Sequence, residues 1–182
     1  MSACRATEQD IRMTDHTPRP EPLFRHADDF EWQEVRVQDH GGRRVAVREK
    51  WVEFSPRGMS LLGQWDPGMI VRRHGHLSRQ IIYVLAGSMT VGEVLCTPGM
   101  HITLDEGAAA GPMIAGPAGV EVFEVMWGDP RSWSEDQAAY EALLAERGIT
   151  ELAHPPLQFP DFMAGAAAAH AARASITDNY KP

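Results

Sequence analysis

The residues with the clearest chemical potential lie in one run, Gly68-Met69-Ile70-Val71-Arg72-Arg73-His74-Gly75-His76-Leu77-Ser78-Arg79-Gln80-Ile81-Ile82-Tyr83-Val84-Leu85-Ala86-Gly87. On a β-strand successive side chains point to opposite faces, so His74 and His76 share a face. Gln80 is an even step further on and returns to that face where the strand keeps its register. Imidazole is a common ligand for divalent first-row metals. Facing imidazoles with an amide beside them form half of a metal cup on the inner wall of a barrel. The plain alternative is a pair of strand histidines that happen to point the same way. Gln80 is neutral and can offer a metal only its amide oxygen, or hydrogen-bond a metal-bound water. Arg72 has the same parity as the histidines, whereas Arg73 faces away. An arginine pointing inward is expensive unless it meets an anion. Arg72 therefore reads either as a clamp for a substrate carboxylate or as a rim residue paired with a surface acid.

The spacing is a glycine, five residues, His-x-His, three residues, Gln80, six residues and a glycine. It resembles the first motif of the cupin family, with Gln80 where that family usually carries glutamate. A second cupin motif should follow, preceded by a Pro-Gly turn, which Pro98-Gly99 supplies. Aligned on Gly107, Asp105 takes the motif's proline position and Ala110 takes the position of its histidine, so the last family ligand is missing. His101 is the other histidine in this region. It could supply a third nitrogen if it faces inward; if it faces outward, Ile102 and Leu104 line the interior instead. The resemblance spans roughly residues 58–127.

These residues need strands to position them. Trp32–Val37 and Arg44–Arg48 alternate around Gly41-Gly42, which is a hairpin signal. Short β runs follow at Trp51–Phe54, Met59–Trp65, Ser88–Val91, Glu93–Thr97, His101–Leu104, Met113–Ala115 and Val120–Met126. No helical periodicity interrupts them, so the expected fold is all-β. The cupin resemblance sharpens this to a double-stranded β-helix, a jelly roll with a C-terminal helical extension. Trp65, Met69, Ile82, Val84, Met113, Phe123 and Val125 are expected in the core, with Tyr83 as packing. After Gly128-Asp129-Pro130 the pattern predicts a helix over Ser134–Arg147, capped by the Ser134 hydroxyl and stopped at Gly148. Pro155-Pro156 and Pro160 then predict an extended strap, and Ala164–Ala174 could form a second helix. The expected organisation is a loose arm over 1–23, a barrel over 24–130, and a helix with strap over 131–182.

Composition bounds the rest. One domain is the prior for 182 residues. With 17 basic and 25 acidic residues the formal charge is −8, which argues against a nucleic-acid partner. Cys4 and Cys96 are too few and too far apart for a disulfide framework or a cysteine zinc site, and Cys96 reads as a buried small residue. The chain shows neither an apolar leader nor a run of transmembrane length, so a cytoplasmic protein without membrane contact is expected. His16, His26, His40, His154 and His170 lie in polar or terminal segments and are expected to be solvated.

The resemblance implies a small metal-dependent enzyme, such as a dioxygenase, isomerase or lyase, acting on a small oxygenated molecule in the barrel. His74 and His76 would hold iron, manganese, nickel or zinc, helped by Gln80 and potentially His101, with Arg72 orienting the substrate. It also implies a homodimer. The absent histidine and glutamate favour a second reading, a metal-free cupin that binds a small ligand or acts as a sensor.

Overall fold

The computed structural model describes residues 21–55 and 57–157. The Ala-rich stretch 164–174, most of the expected N-terminal arm, His16 and His170 lie outside them. The hairpin forms as expected: β1 (Gln33–His40) and β2 (Arg44–Ser55) pair antiparallel across Gly41-Gly42, both with positive φ. Next come β3 (Gly58–Trp65), β4 (Ile70–Val71), β5 (His74–Val91), β6 (Val94–Cys96), β7 (His101–Leu104), β8 (Ala109–Ala110) and β9 (Met113–Ser134). A helix, α1 (Gln137–Glu146), and a last short strand, β10 (Ile149–Glu151), complete the order.

Several short β runs read from the sequence are parts of longer strands. Trp51–Phe54 continues β2, Ser88–Val91 ends the eighteen-residue β5, and Met113–Ala115 and Val120–Met126 both belong to the twenty-two-residue β9. The glycines and prolines that look like strand breaks are absorbed as bends and bulges, which is how a long strand turns a jelly-roll corner. The sheet order is β10-β1-β2-β3-β9-β5-β6, with β4 on β9 and both β7 and β8 on β5. All pairings are antiparallel. The layout is an all-β jelly roll with a C-terminal helix.

The inner faces meet in a core that includes Val45, Val47, Trp65, Met69, Ile82, Val84, Met113, Val120 and Val122. Cys96 is buried there as well. Phe123 and Tyr83 are not core residues. They oppose each other in register and sit on the outer face, at 36% and 38% exposure. The inward set of β9 is Val120, Val122, Glu124 and Met126, so Phe123 falls on the wrong parity for the interior.

The helix starts three residues later than expected. Ser134 remains in β9, and the Glu135 amide donates to the Arg73 carbonyl (3.2 Å) while its carboxylate pairs with Arg73 Nε (3.0 Å). Strand pairing thus takes the residues that would have formed the first turn. Asp136 occupies the cap with φ 54° and makes no side-chain cap bond. Tyr140 and Leu144 bury against Ile70, and Gly148, with φ 64°, ends the turn. Gln38 locks the helix to the barrel: its Nε2 donates to the Ile70 carbonyl (2.6 Å) and to the Tyr140 hydroxyl (3.0 Å). Its Oε1 accepts from the Ile70 amide at 3.2 Å, so both ends of this buried amide are satisfied. β10 then pairs with β1, so the chain adds one more strand to the sheet before the prolines of the expected strap, of which Pro160 lies outside the described residues.

Candidate active site

His74 and His76 enter the barrel at the start of β5. Their rings lie 5.3 Å apart, edge to face. A register shift in the β5–β9 ladder falls beside them: His76 opposes Ser132 while Ser78 opposes Gly128. Asp129, Pro130 and Arg131 thus stand against the single Leu77, so the two extra residues are both on β9. That leaves the alternation of β5 undisturbed, and Ser78, Gln80, Ile82 and Val84 follow the histidines to the inside. The bulge also brings the Pro130 carbonyl to His76 Nδ1 at 2.8 Å. His74 Nδ1 makes the matching contact to the Arg72 carbonyl at 2.9 Å. A carbonyl only accepts, so both Nδ1 atoms carry the proton and both Nε2 atoms keep a lone pair.

Burial reinforces that state. It pushes the His74 pKa down to about 3, with further repulsion from His76 and Arg36. The His76 pKa is lowered for the same main reason, opposed by its bond to Pro130. Two neutral imidazoles, each anchored by a backbone carbonyl, therefore face the interior.

They line a cavity of about 90 Å³ together with Arg36, Glu49 and Glu124 and an apolar wall of Val47, Trp65, Val71 and Met126. Gln80 lies one step behind this surface. Its Nε2 donates to Glu124 Oε2 at 2.7 Å, and its own Oε1 is buried without a partner. The carboxylate missing at position 80 thus appears across the ladder on β9, held by the glutamine that stands in its place. Burial and the neighbouring Glu49 push the Glu124 carboxyl up to about 8, against the pull of the Gln80 bond. Glu49 is raised too, mainly by burial, although Trp51 Nε1 donates to its Oε2 at 2.6 Å and Arg36 attracts it.

Arg72 is not the arginine of this cavity. Its Nη1 donates to Gln137 Oε1 (3.1 Å) at the start of α1, which draws the side chain toward the helix. Arg36, from β1, takes the place on the cavity wall. His101 is also outside. β7 runs beside β5 with Ile82 opposite Ile102 and Tyr83 opposite His101. Directly opposed residues share a face. Inward Ile82 therefore brings Ile102 inward, and outward Tyr83 leaves His101 exposed. Ala110, at the position of the family histidine, is buried directly opposite His74. Of the other histidines, His26 caps a short helical turn and is exposed, and His154 lies 3.6 Å from Glu151. His40 is half-buried against Gln38 Oε1 (3.1 Å) rather than solvated.

Glu124, Glu49 and Arg36 are the site residues that motif reading missed. Glu124 carried a signal, because it interrupts the inward series Val120, Val122, Met126 with a carboxylate. Glu49 and Arg36 lie outside the motif region, and only the closure of β1 and β2 over β5 brings them in.

Whether these residues suit a metal can be judged from the donors. Two carbonyl-anchored imidazoles presenting Nε2 are what metal-ligating histidines look like, since the second nitrogen fixes the ring. The orphaned Gln80 oxygen and the Glu124 carboxyl add oxygen donors nearby. Among the described residues, no three His, Cys, Asp or Glu side chains gather closely enough to hold an ion between them. The set therefore fits an ion held mainly by two nitrogens.

No family model matches this chain, and no curated protein does either. Solved structures do. A candidate acetylacetone dioxygenase from Methylibium petroleiphilum PM1 is similar over 82% of this chain and 96% of its own, with a TM-score of 0.54 and 12% identity. An RmlC-like cupin from Shewanella frigidimarina covers 59% of this chain and 92% of its own, at TM-score 0.47 and 18% identity. KdgF from a Halomonas species covers 54% and 89%, at TM-score 0.44 and 23% identity. The fold is that of the RmlC-like cupins, an antiparallel jelly roll, and such neighbours include enzymes. Among the described residues no helix is long and apolar enough to cross a membrane.

Proposed function

We propose that this protein is a small cupin enzyme that holds a first-row divalent ion (iron, manganese, nickel or zinc) through His74 and His76. Its substrate would be a small oxygenated molecule bound in the barrel. The observation that carries the reading is the pair of Nδ1 bonds, to the Arg72 carbonyl at 2.9 Å and the Pro130 carbonyl at 2.8 Å. A strand histidine with no task has no need of a fixed tautomer, whereas a ligand does. When bound, such an ion supplies Lewis-acid polarisation or an oxygen-binding centre.

The chain's own residues supply the rest. Trp65, Val47, Val71 and Met126 keep one wall dry, which strengthens every polar contact inside. Glu124 keeps its proton at neutral pH and can deliver it to a substrate oxygen, and Gln80 holds that carboxyl in place. The test is the metal content of protein purified without chelator, followed by a turnover screen of small diketones and hydroxy or keto acids. One bound ion and a chelator-sensitive activity are expected. A metal-free preparation that takes up none of the four ions would overturn the reading.

A metal-free ligand-binding cupin is the second reading, and one observation favours it: Ala110 opposes His74 where the family's last ligand would stand. Ligand binding untouched by chelator and by His74→Ala would select it. In either reading a homodimer is expected, since a jelly roll leaves sheet edges a partner can cover. Light scattering at the monomer mass at micromolar concentration would count against it.

A further inference from the structure

We propose that Arg36 is the anion anchor of the cavity, and that the ligand is a small carboxylate whose charged end pairs with this guanidinium. This deepens the proposed function by naming a ligand class, and it rests on the barrel cavity being the binding site.

Several arginines elsewhere in the fold have partners, whereas Arg57 and Arg147 are exposed to solvent. Arg44 and Arg48 pair with Glu34 (2.6 and 3.5 Å), Arg48 also with Asp66 (2.8 Å), Arg73 with Glu135 (3.0 Å) and Arg131 with Asp129 (2.6 Å). Arg43 donates to the Pro67 carbonyl at 3.1 Å. Arg36 lines the cavity beside His74 and His76, yet its side chain makes no ion pair or hydrogen bond with a described residue. The charged groups around it are Glu49, Glu151, Arg72 and the Tyr140 hydroxyl, all close enough to act on it through space. Glu49 is the acid on the same wall, and its Oε2 is already engaged by the Trp51 indole at 2.6 Å. A guanidinium set into a barrel without a bonded anion is costly and is retained where a ligand completes it.

The shape of the space narrows the ligand. About 90 Å³ admits only a handful of heavy atoms. Val47, Val71 and Met126 suit a short apolar body, and Arg36 offers a planar fork that matches a carboxylate with two parallel bonds. The expected ligand is a short-chain carboxylate with its anionic end on β1 and its body against the apolar wall, directed at the Nε2 atoms of the histidines.

The test uses the full chain, both chelator-treated and zinc-loaded, titrated calorimetrically with isobutyrate and with its neutral isostere isobutyramide. Wild type is expected to bind isobutyrate at least tenfold more tightly than the amide. Arg36→Gln should lose that tenfold preference, and Arg36→Lys, which keeps the charge but not the fork, should lose part of it. Circular dichroism checks each variant. If Arg36→Gln does not fold, the wild-type preference and the weakening in Arg36→Lys decide the matter together. Equal binding of acid and amide, no binding of either, or an Arg36→Gln that keeps the preference would overturn the proposal. Arg36-dependent carboxylate binding in chelator-treated protein that takes up no ion would uphold it while the metal reading falls. Metal uptake without carboxylate preference would do the reverse.

Discussion

The two strands paired at the His74 end of the barrel, β5 and β8, are unequal. On β5, His74 and His76 are aimed by backbone carbonyls and kept neutral by burial. On β8, directly across the ladder from His74, stands the methyl group of Ala110. A third strand redresses part of the imbalance, since β9 brings in Glu124 and Gln80 fixes it at 2.7 Å. The difference teaches that a motif can lose residues on one strand while the polar content of the cavity is carried by its neighbours.

That asymmetry can be pressed in several ways, and replacing the buried carboxyl on the β9 side should have the largest effect. Glu124 titrates near 8 in the fold against an ordinary value of 4.5. Between those values the native protein keeps a proton that the unfolded chain releases, so stability falls as pH rises through this window. In metal-free protein, Glu124→Gln should therefore stabilise by on the order of 3 to 4 kcal/mol at pH 8 and not at all below about pH 4.5. Urea denaturation at the two pH values checks this, and an equal effect at both would show that the carboxyl is not held protonated. Next in size is the contact that seats β5 against its neighbours. A Cβ on Gly75 would strike the Ala108 carbonyl oxygen and lie 2.8 Å from the Trp133 ring. Gly75→Ala should cost about 2 to 3 kcal/mol by forcing β8 and β9 away from the histidines.

Filling the empty side comes third. Ala110→His places an imidazole opposite His74 and should tighten zinc binding about tenfold, roughly 1.4 kcal/mol. Calorimetry would read it, and unchanged affinity would mean that position 110 does not look into the site. The smallest effect belongs to the outer face: His101→Ala should leave metal uptake alone and change stability by less than about 0.5 kcal/mol.

The fold was legible in the sequence because it rests on local signals. The Gly41-Gly42 hairpin, the alternation of β3 and the glycines flanking the His-x-His run each dictate a backbone shape within a few residues. The ends of the long strands were not legible, because nothing local says that β9 runs on through Gly128-Asp129-Pro130 as a bulge. The same bulge supplies the Pro130 carbonyl to His76, so the second anchor of the site was hidden with it. Parity along β5 correctly grouped His74, His76 and Gln80 on the inner side. It misplaced Arg72, which lies before the strand begins and is drawn off by Gln137. It also left His101 open until pairing with Tyr83 decided its face. Arg36 and Glu49 come from strands far away in the chain and reach the cavity only through barrel closure, which no spacing rule captures.

The central claim is that His74 and His76 present two aligned nitrogens to a metal ion. It is tested most directly by calorimetric titration of wild type, His74→Ala and His76→Ala with zinc, nickel, manganese and iron at pH 7.5. One ion per chain in the wild type is predicted, with uptake lost in both variants and retained in wild type as the pH falls through the ordinary imidazole range, because burial keeps both rings neutral well below it. Wild-type protein that binds none of the four ions, or binds them as well without either imidazole, would contradict it.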